Sequence, residues 1–170
     1  MAFTFKWDSA SEQRRIFGGR LLPGPLLRPE FLPVVPDIPG LRFQALHTDD
    51  AARAYHLAAL GDARGPFNLA ADPPLDAEVL GELFHSRTVR VPSPVARSGL
   101  AAAWGLRLAP ASPQLYDAVL RLPVMDCARA HSELGWTPRH TAVEALEEML
   151  AGLRRGAGKD TAPLKGRAVG

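Results

Sequence analysis

The stretch 41-LRFQALHTDDAARAYHLAALG-61 carries the change of chain geometry on which the fold reading turns. Leu41 to Leu46 reads as a strand. Thr48 follows at once as an N-cap, with Asp49 and Asp50 in the first helical turn, where carboxylates complement the positive end of the helix dipole. The helix runs through AARAYHLAALG, and Gly61 stops it. Downstream the same alternation continues. Phe67 to Ala70 reads as a four-residue strand entered through Gly65-Pro66, then a helix spans about Leu75 to His85, a strand Thr88 to Val91, and an Ala-rich helix Ser93 to about Leu108. Ser112-Pro113 is a further helix start, with proline at the first helical position. Asp126 is expected to cap a short helix closed by Gly135. Thr141 and Glu144 form a capping box that opens an amphipathic helix with Val143, Leu146, Met149, Leu150 and Leu153 on one stripe.

Upstream, Ala2 to Lys6 (AFTFK) alternates with the period of a short strand. Ser9 and Glu12 make another capping box, opening a helix expected to end at Gly18-Gly19. Residues 20–40 hold six prolines, which lack amide donors and bias their predecessors toward extended geometry, so this segment reads as an irregular loop with a short edge strand at Val34-Val35. Residues 156–170 read as a disordered tail. Strands alternating with helices give an α/β fold.

The 170 residues suit one domain, and 46% hydrophobic content is enough for a core. The formal charge of +2 is concentrated. Residues 154–170 carry five Lys or Arg against one Asp, a surplus of +4 that leaves about −2 on the rest, so no basic footprint for nucleic acid spreads over the fold. The single cysteine, Cys127, fits a reducing compartment. With no apolar targeting segment and no run near the ~20 apolar residues of a membrane span, the expected location is the cytoplasm. Seventeen Arg to three Lys suggests a GC-rich, bacterial genome.

Several segments resemble, in order, the NAD-dependent epimerase/dehydratase family of extended short-chain dehydrogenases/reductases. His47 and Asp50 match its His-x-x-Asp after an aromatic-bearing strand, with Ala51-Ala52 where Val-Ala is usual. Gly65-Pro-Phe-Asn-Leu-Ala70 looks like its G-x-aromatic-N-x-small segment. Met125-Asp-Cys-Ala-Arg-Ala130 and Glu133-Leu-Gly-Trp-Thr-Pro138 resemble its closing signature, and Thr141 onward its terminal helix. The resemblance covers residues 3–155 and points to the C-terminal half of a Rossmann-type protein: the last sheet strands plus the helix-rich substrate domain. It implies that Ala2–Lys6 and Phe67–Ala70 are neighbouring parallel strands at a sheet edge, with a flanking strand encoded upstream of Met1. A homodimer or a partner chain is then expected to cover that edge.

The family's cofactor and proton-transfer motifs do not occur in this sequence. No glycine cluster has the spacing of a dinucleotide-binding turn between a strand and a helix. Tyr55 and Tyr116 are followed four residues later by Ala59 and Leu120, so there is no Tyr-x-x-x-Lys. The expectation is therefore a substrate-binding half that binds no NAD(P) alone, although NAD(P) is implied for the complete family protein. It has no catalytic residue of its own and is inactive by itself. A non-catalytic module that binds a small ligand or docks on a partner is the alternative. Relatives acting on nucleotide sugars grip the diphosphate with arginines near Arg42 and Arg121, which makes these two the substrate-binding candidates. Arg42 stands five residues before His47 where the pattern has four, and a solvated surface arginine is the competing reading for each. The Pro-rich loop Leu21–Pro39 is a second candidate surface.

The remaining candidates have structural readings. His47 and Asp50 could be metal ligands, but a strand-to-helix junction with a capping acid is preferred. Cys127, at a helix start, could be an activated thiolate; a small, semi-buried residue is preferred. Trp104 and Trp136 read as packing residues. No Gly-x-Ser-x-Gly elbow supports a serine hydrolase.

Overall fold

The computed structural model of the protein describes residues 2–6, 33–107 and 112–157. The expected helix after Ser9, the Pro-rich loop up to residue 32 and the tail from residue 158 lie outside these. In chain order the described elements are β1 (Ala2–Phe5), β2 (Val34–Asp37), β3 (Phe43–His47), α1 (Thr48–Leu60), β4 (Ala71–Leu75), α2 (Ala77–Phe84), β5 (Arg87–Arg90), α3 (Ser93–Gly105), α4 (Pro113–Val119), α5 (Ala128–Leu134) and α6 (Ala142–Arg154). The architecture is mixed α/β.

A three-stranded sheet has the order β1-β3-β4. β1 runs parallel to β3, with Phe5 opposite His47, and β4 runs antiparallel to β3, with Phe43 opposite Leu75 and Ala45 opposite Ala71. The β3–β4 register is irregular between these pairs, where Pro73 and Pro74 bring no amide hydrogen to the ladder. β2 and β5 form a separate parallel pair. The short strand expected at Val34-Val35 is therefore present and lies beside β5. No described helix is long and apolar enough to cross a membrane.

The expected pairing of Ala2–Lys6 with Phe67–Ala70 is not what the structure has. Residues 67–70 form no strand, and β1 lies beside β3. The reason lies in tertiary contacts. The carbonyls of Arg64 and Pro66 accept from the guanidinium of Arg129, and the Asn68 amide donates to the Asp126 carbonyl, so this segment is tied to α5 and its entry turn. Sheet pairing resumes only at Ala71.

α6 covers the sheet. Its buried residues Ala142, Ala145, Leu146, Met149, Leu150 and Leu153 join Phe5, Leu46, Leu75 and Trp136 in one core. The stripe is shifted from the expected one: Ala142 and Ala145 are fully buried and Val143 only partly, because the small side chains let the helix approach the sheet closely. Helix starts match expectation where the cap is local. Ser112 accepts from the Leu115 amide, and Thr141 and Glu144 close both halves of their capping box. α1 begins differently. His47, not Thr48, is the cap, its Nδ1 accepting from the Asp49 amide at 3.2 Å. Trp104 is 49% exposed on α3, a helix with no buried residue, so it is not the packing residue expected.

Replacing Thr141 with Ala removes the acceptor for the Glu144 amide and should cost about 1 kcal/mol. Chemical denaturation would show this as a lower midpoint with an unchanged slope.

Candidate functional site

Asp50 is the point where the chain's separated motifs meet. Its side chain is 1% exposed and sits in the first turn of α1. One oxygen accepts from the Arg139 amide at 2.9 Å; the other accepts from the His140 amide at 3.0 Å and from His140 Nδ1 at 2.9 Å. Its backbone carbonyl accepts from Trp136 Nε1 at 2.9 Å. Burial alone would push this carboxyl up. The hydrogen bonds from the Arg139 amide, the His140 ring and the His140 amide outweigh burial and hold it below its ordinary value. His47 is equally enclosed: Nε2 lies 2.9 Å from Glu148 on α6, and its ring stacks on that of His140 at 4.0 Å between centroids. His47 and Asp50 thus form a strand-to-helix junction bonded to the segment before α6.

The closing signature is used in the same way. Asp126 accepts from the Ala128 amide at 2.8 Å and so supplies the cap for α5, although the residue in cap position is Cys127. Arg129 reaches back to Arg64 and Pro66, covers the Phe67 ring and pairs with Glu133. Its Nη1 would lie 3.2 Å from a β-carbon at Gly65, where φ is +89°, so a side chain there would meet both strain and crowding. Ala130 and Trp136 are fully buried. Gly135 ends α5 at φ +60°. Burial pushes the Cys127 thiol up, the Ala70 amide partly opposes this, and the Asp72 and Asp126 charges push it further, which is the opposite of an activated thiolate.

The sequence reading missed Gln44. This residue is 4% exposed and second in β3, and its amide exchanges hydrogen bonds with Met125, accepting from the nitrogen at 2.6 Å and donating to the oxygen at 3.2 Å. It acts as a short substitute for strand pairing. The signal was available: a glutamine inside an otherwise apolar strand needs partners for both ends of its amide. Glu148 was missed as well, because nothing local marks a carboxylate on a helix face as the partner of a histidine 101 residues earlier.

The two arginine candidates come together in space. Arg42, just before β3, and Arg121, just after α4, line one open cleft of about 730 Å³ with Asp37, Asp76, Glu78 and Thr88. Both arginines are exposed, and neither guanidinium has an ion-pair or hydrogen-bond partner among the described residues. Asp76 is partly committed, its Oδ1 accepting from the Glu78 and Val79 amides at the start of α2. Unpaired guanidinium groups in a cleft suit phosphate or carboxylate oxygens. Of the Pro-rich loop, only residues 33–39 are described, and Asp37 and Ile38 reach this cleft.

None of the described strand-to-helix junctions suits the pyrophosphate of a dinucleotide. The start of α1 carries Asp49 and Asp50, that of α2 is closed by the Asp76 carboxylate, and that of α3 has Pro92 and Pro94, which lack amide hydrogens. The residues described do not fit the cofactor that the resemblance implies for the complete family protein.

No protein-family model matches the chain. Uncharacterized proteins of Mycobacterium bovis and Mycobacterium tuberculosis are 36% identical to it over 126 residues, covering 71% of this chain and 32% of theirs. The chain therefore spans about a third of the length of these curated relatives. Among solved structures, RMD from Pseudomonas aeruginosa complexed with NADPH aligns with a TM-score of 0.47 at 16% identity, covering 90% of this chain and 46% of that one.

Asp50→Ala should destabilise the fold by about 3 kcal/mol, because it leaves two backbone amides and an imidazole without their buried acceptor. Asp50→Asn gives a second, pH-dependent signature. A carboxyl with a depressed native value contributes stability that is present above its unfolded value and lost as pH falls through the native one. Acid titration of stability below about pH 4 should therefore be shallower in Asp50→Asn than in the wild type, as read by thermal melting across that range.

Proposed function

We propose that this chain is the substrate-binding half of an NAD(P)-dependent epimerase, dehydratase or reductase of the sugar-nucleotide type, inactive alone. The observation that carries the reading is the meeting of Arg42 and Arg121 in one cleft, from segments 79 residues apart, with neither guanidinium committed to a carboxylate among the described residues. Two such forks can hold the oxygens of a diphosphate. Asp37 and Glu78 on the same cleft can accept from sugar hydroxyls. The ordered motifs of the epimerase/dehydratase resemblance support the family assignment. The work of this half is to bind and orient substrate by its phosphate groups. Hydride transfer would need the Gly-rich turn and the Tyr-x-x-x-Lys pair, neither of which occurs in this sequence.

A second reading, a non-catalytic ligand-binding module, is favoured by the way the signature residues are spent. His47, Asp50, Arg129 and Trp136 are all engaged in contacts that hold the fold together. Both readings place the ligand in the same cleft.

Titration calorimetry with UDP-glucose as the probe tests the shared part. Binding is expected, with Arg42→Ala and Arg121→Ala each weakening it by about tenfold, the loss of roughly one charge-assisted hydrogen bond. Absence of binding by the folded protein, or unchanged affinity in both variants, would sink the assignment of the cleft. Nicotinamide absorbance, followed with NADH or NADPH and the same sugar nucleotide, should stay constant. Consumption of either by this chain alone would overturn the inactive-half reading and the module reading together.

A further inference from the structure

We propose that the cleft takes a sugar nucleotide whose sugar carries a free amino group, with Asp37 and Glu78 holding the ammonium and Arg42 and Arg121 the diphosphate. This rests on the reading of the cleft as a diphosphate site and adds the chemistry of its other side. The lining groups have both signs, three carboxylates to two guanidinium groups. They also come from different parts of the fold. Arg42 leads into β3 and Arg121 follows α4, and these two segments adjoin: a β-carbon at Gly40 would lie 3.6 Å from the Leu120 carbonyl oxygen. The carboxylates belong to the unit that α2 makes with β2 and β5. Asp37 ends β2, Asp76 caps α2, and Glu78 lies in its first turn. α2 packs closely on β5, since a β-carbon at Gly81 would come within 2.8 Å of the Thr88 methyl.

The three carboxylates are not equivalent. Asp76 is committed to the Glu78 and Val79 amides, which closes the positive end of the α2 dipole to an incoming anion. Phosphate is thereby confined to the arginine side. The carboxylates of Asp37 and Glu78 have no ion-pair or hydrogen-bond partner among the described residues, and Asp37 makes no ion pair with Arg90, which stands opposite it on β5. A ligand that brought only phosphate charge would leave these two carboxylates without a counter-charge. Sugar hydroxyls would satisfy their oxygens but not their charge. An ammonium does both, because its three donors meet acceptors that are themselves ionised, and such hydrogen bonds are roughly twice as strong as neutral ones. The cleft volume of about 730 Å³ lies within the ~300–1,000 Å³ of small-ligand sites.

Titration calorimetry with UDP-glucosamine, UDP-glucose and UDP-N-acetylglucosamine, in a buffer acidic enough to charge the sugar amine, tests this. The three probes differ at one sugar carbon, which carries an ammonium, a hydroxyl or an acetamide. UDP-glucosamine is expected to bind roughly tenfold more tightly than either of the others, the gain of a charged over a neutral hydrogen bond. The double variant Asp37→Asn, Glu78→Gln keeps the shape and the acceptor oxygens but removes the charge. It should erase the preference without weakening UDP-glucose, whereas Arg42→Ala should weaken all three probes alike. Equal affinity for UDP-glucosamine and UDP-glucose, or a preference that survives in the double variant, would overturn the proposal and leave the diphosphate site standing. Failure of all three probes to bind the folded protein would remove the cleft assignment and the proposal together.

Discussion

A single buried carboxylate organises this protein. Asp50 is excluded from water, and every donor that satisfies it comes from the short segment between α5 and α6. A buried carboxylate is tolerable only with such partners, so the position of that segment is not negotiable. From it follow the placement of Trp136 beneath α1, the direction in which α6 enters and the face it lays on the sheet. Apolar burial is non-directional. The polar contacts at Asp50, His47 and Gln44 add direction to the packing.

The same logic explains why residues that look chemically capable are not engaged in chemistry. His47, Asp50, Asp126 and Arg129 are residue types of active sites, yet each is engaged by backbone groups or by a neighbouring side chain in holding the fold. Arg42 and Arg121 are the reverse. Their side chains are exposed on a concave surface, and neither guanidinium has a partner among the described residues. That contrast between spent and unspent donors, more than any motif, is what directs attention to the cleft.

What could be read from the chain depended on how far apart the interacting residues lie. The Thr141–Glu144 box and the Ser112 cap span three residues and are visible as patterns. The His47–Asp50 junction was legible as a junction, but its partners at Arg139, His140 and Glu148 lie about ninety to a hundred residues on. Phe67–Ala70 has the composition of a strand, and nothing in those four residues discloses that Arg129 holds the carbonyls just before them. The meeting of Arg42 and Arg121 likewise depends on tertiary structure; only the resemblance pointed to those two residues. Trp104 was misjudged because a large aromatic side chain on an Ala-rich helix suggests a packed face, and α3 has none among the described residues.

The distance between Asp50 and its donors also has a meaning in time. A ribosome makes β3 and α1 before it reaches Arg139 and His140, 89 and 90 residues later. At roughly 5–20 residues per second, the nascent chain carries an unsatisfied junction for on the order of 5 to 20 s. During that interval Ala45, Leu46 and Ala54 have no α6 to lie against. The junction at Asp50 is thus closed late, and until the segment after α5 has been made its carboxylate has only water for partners.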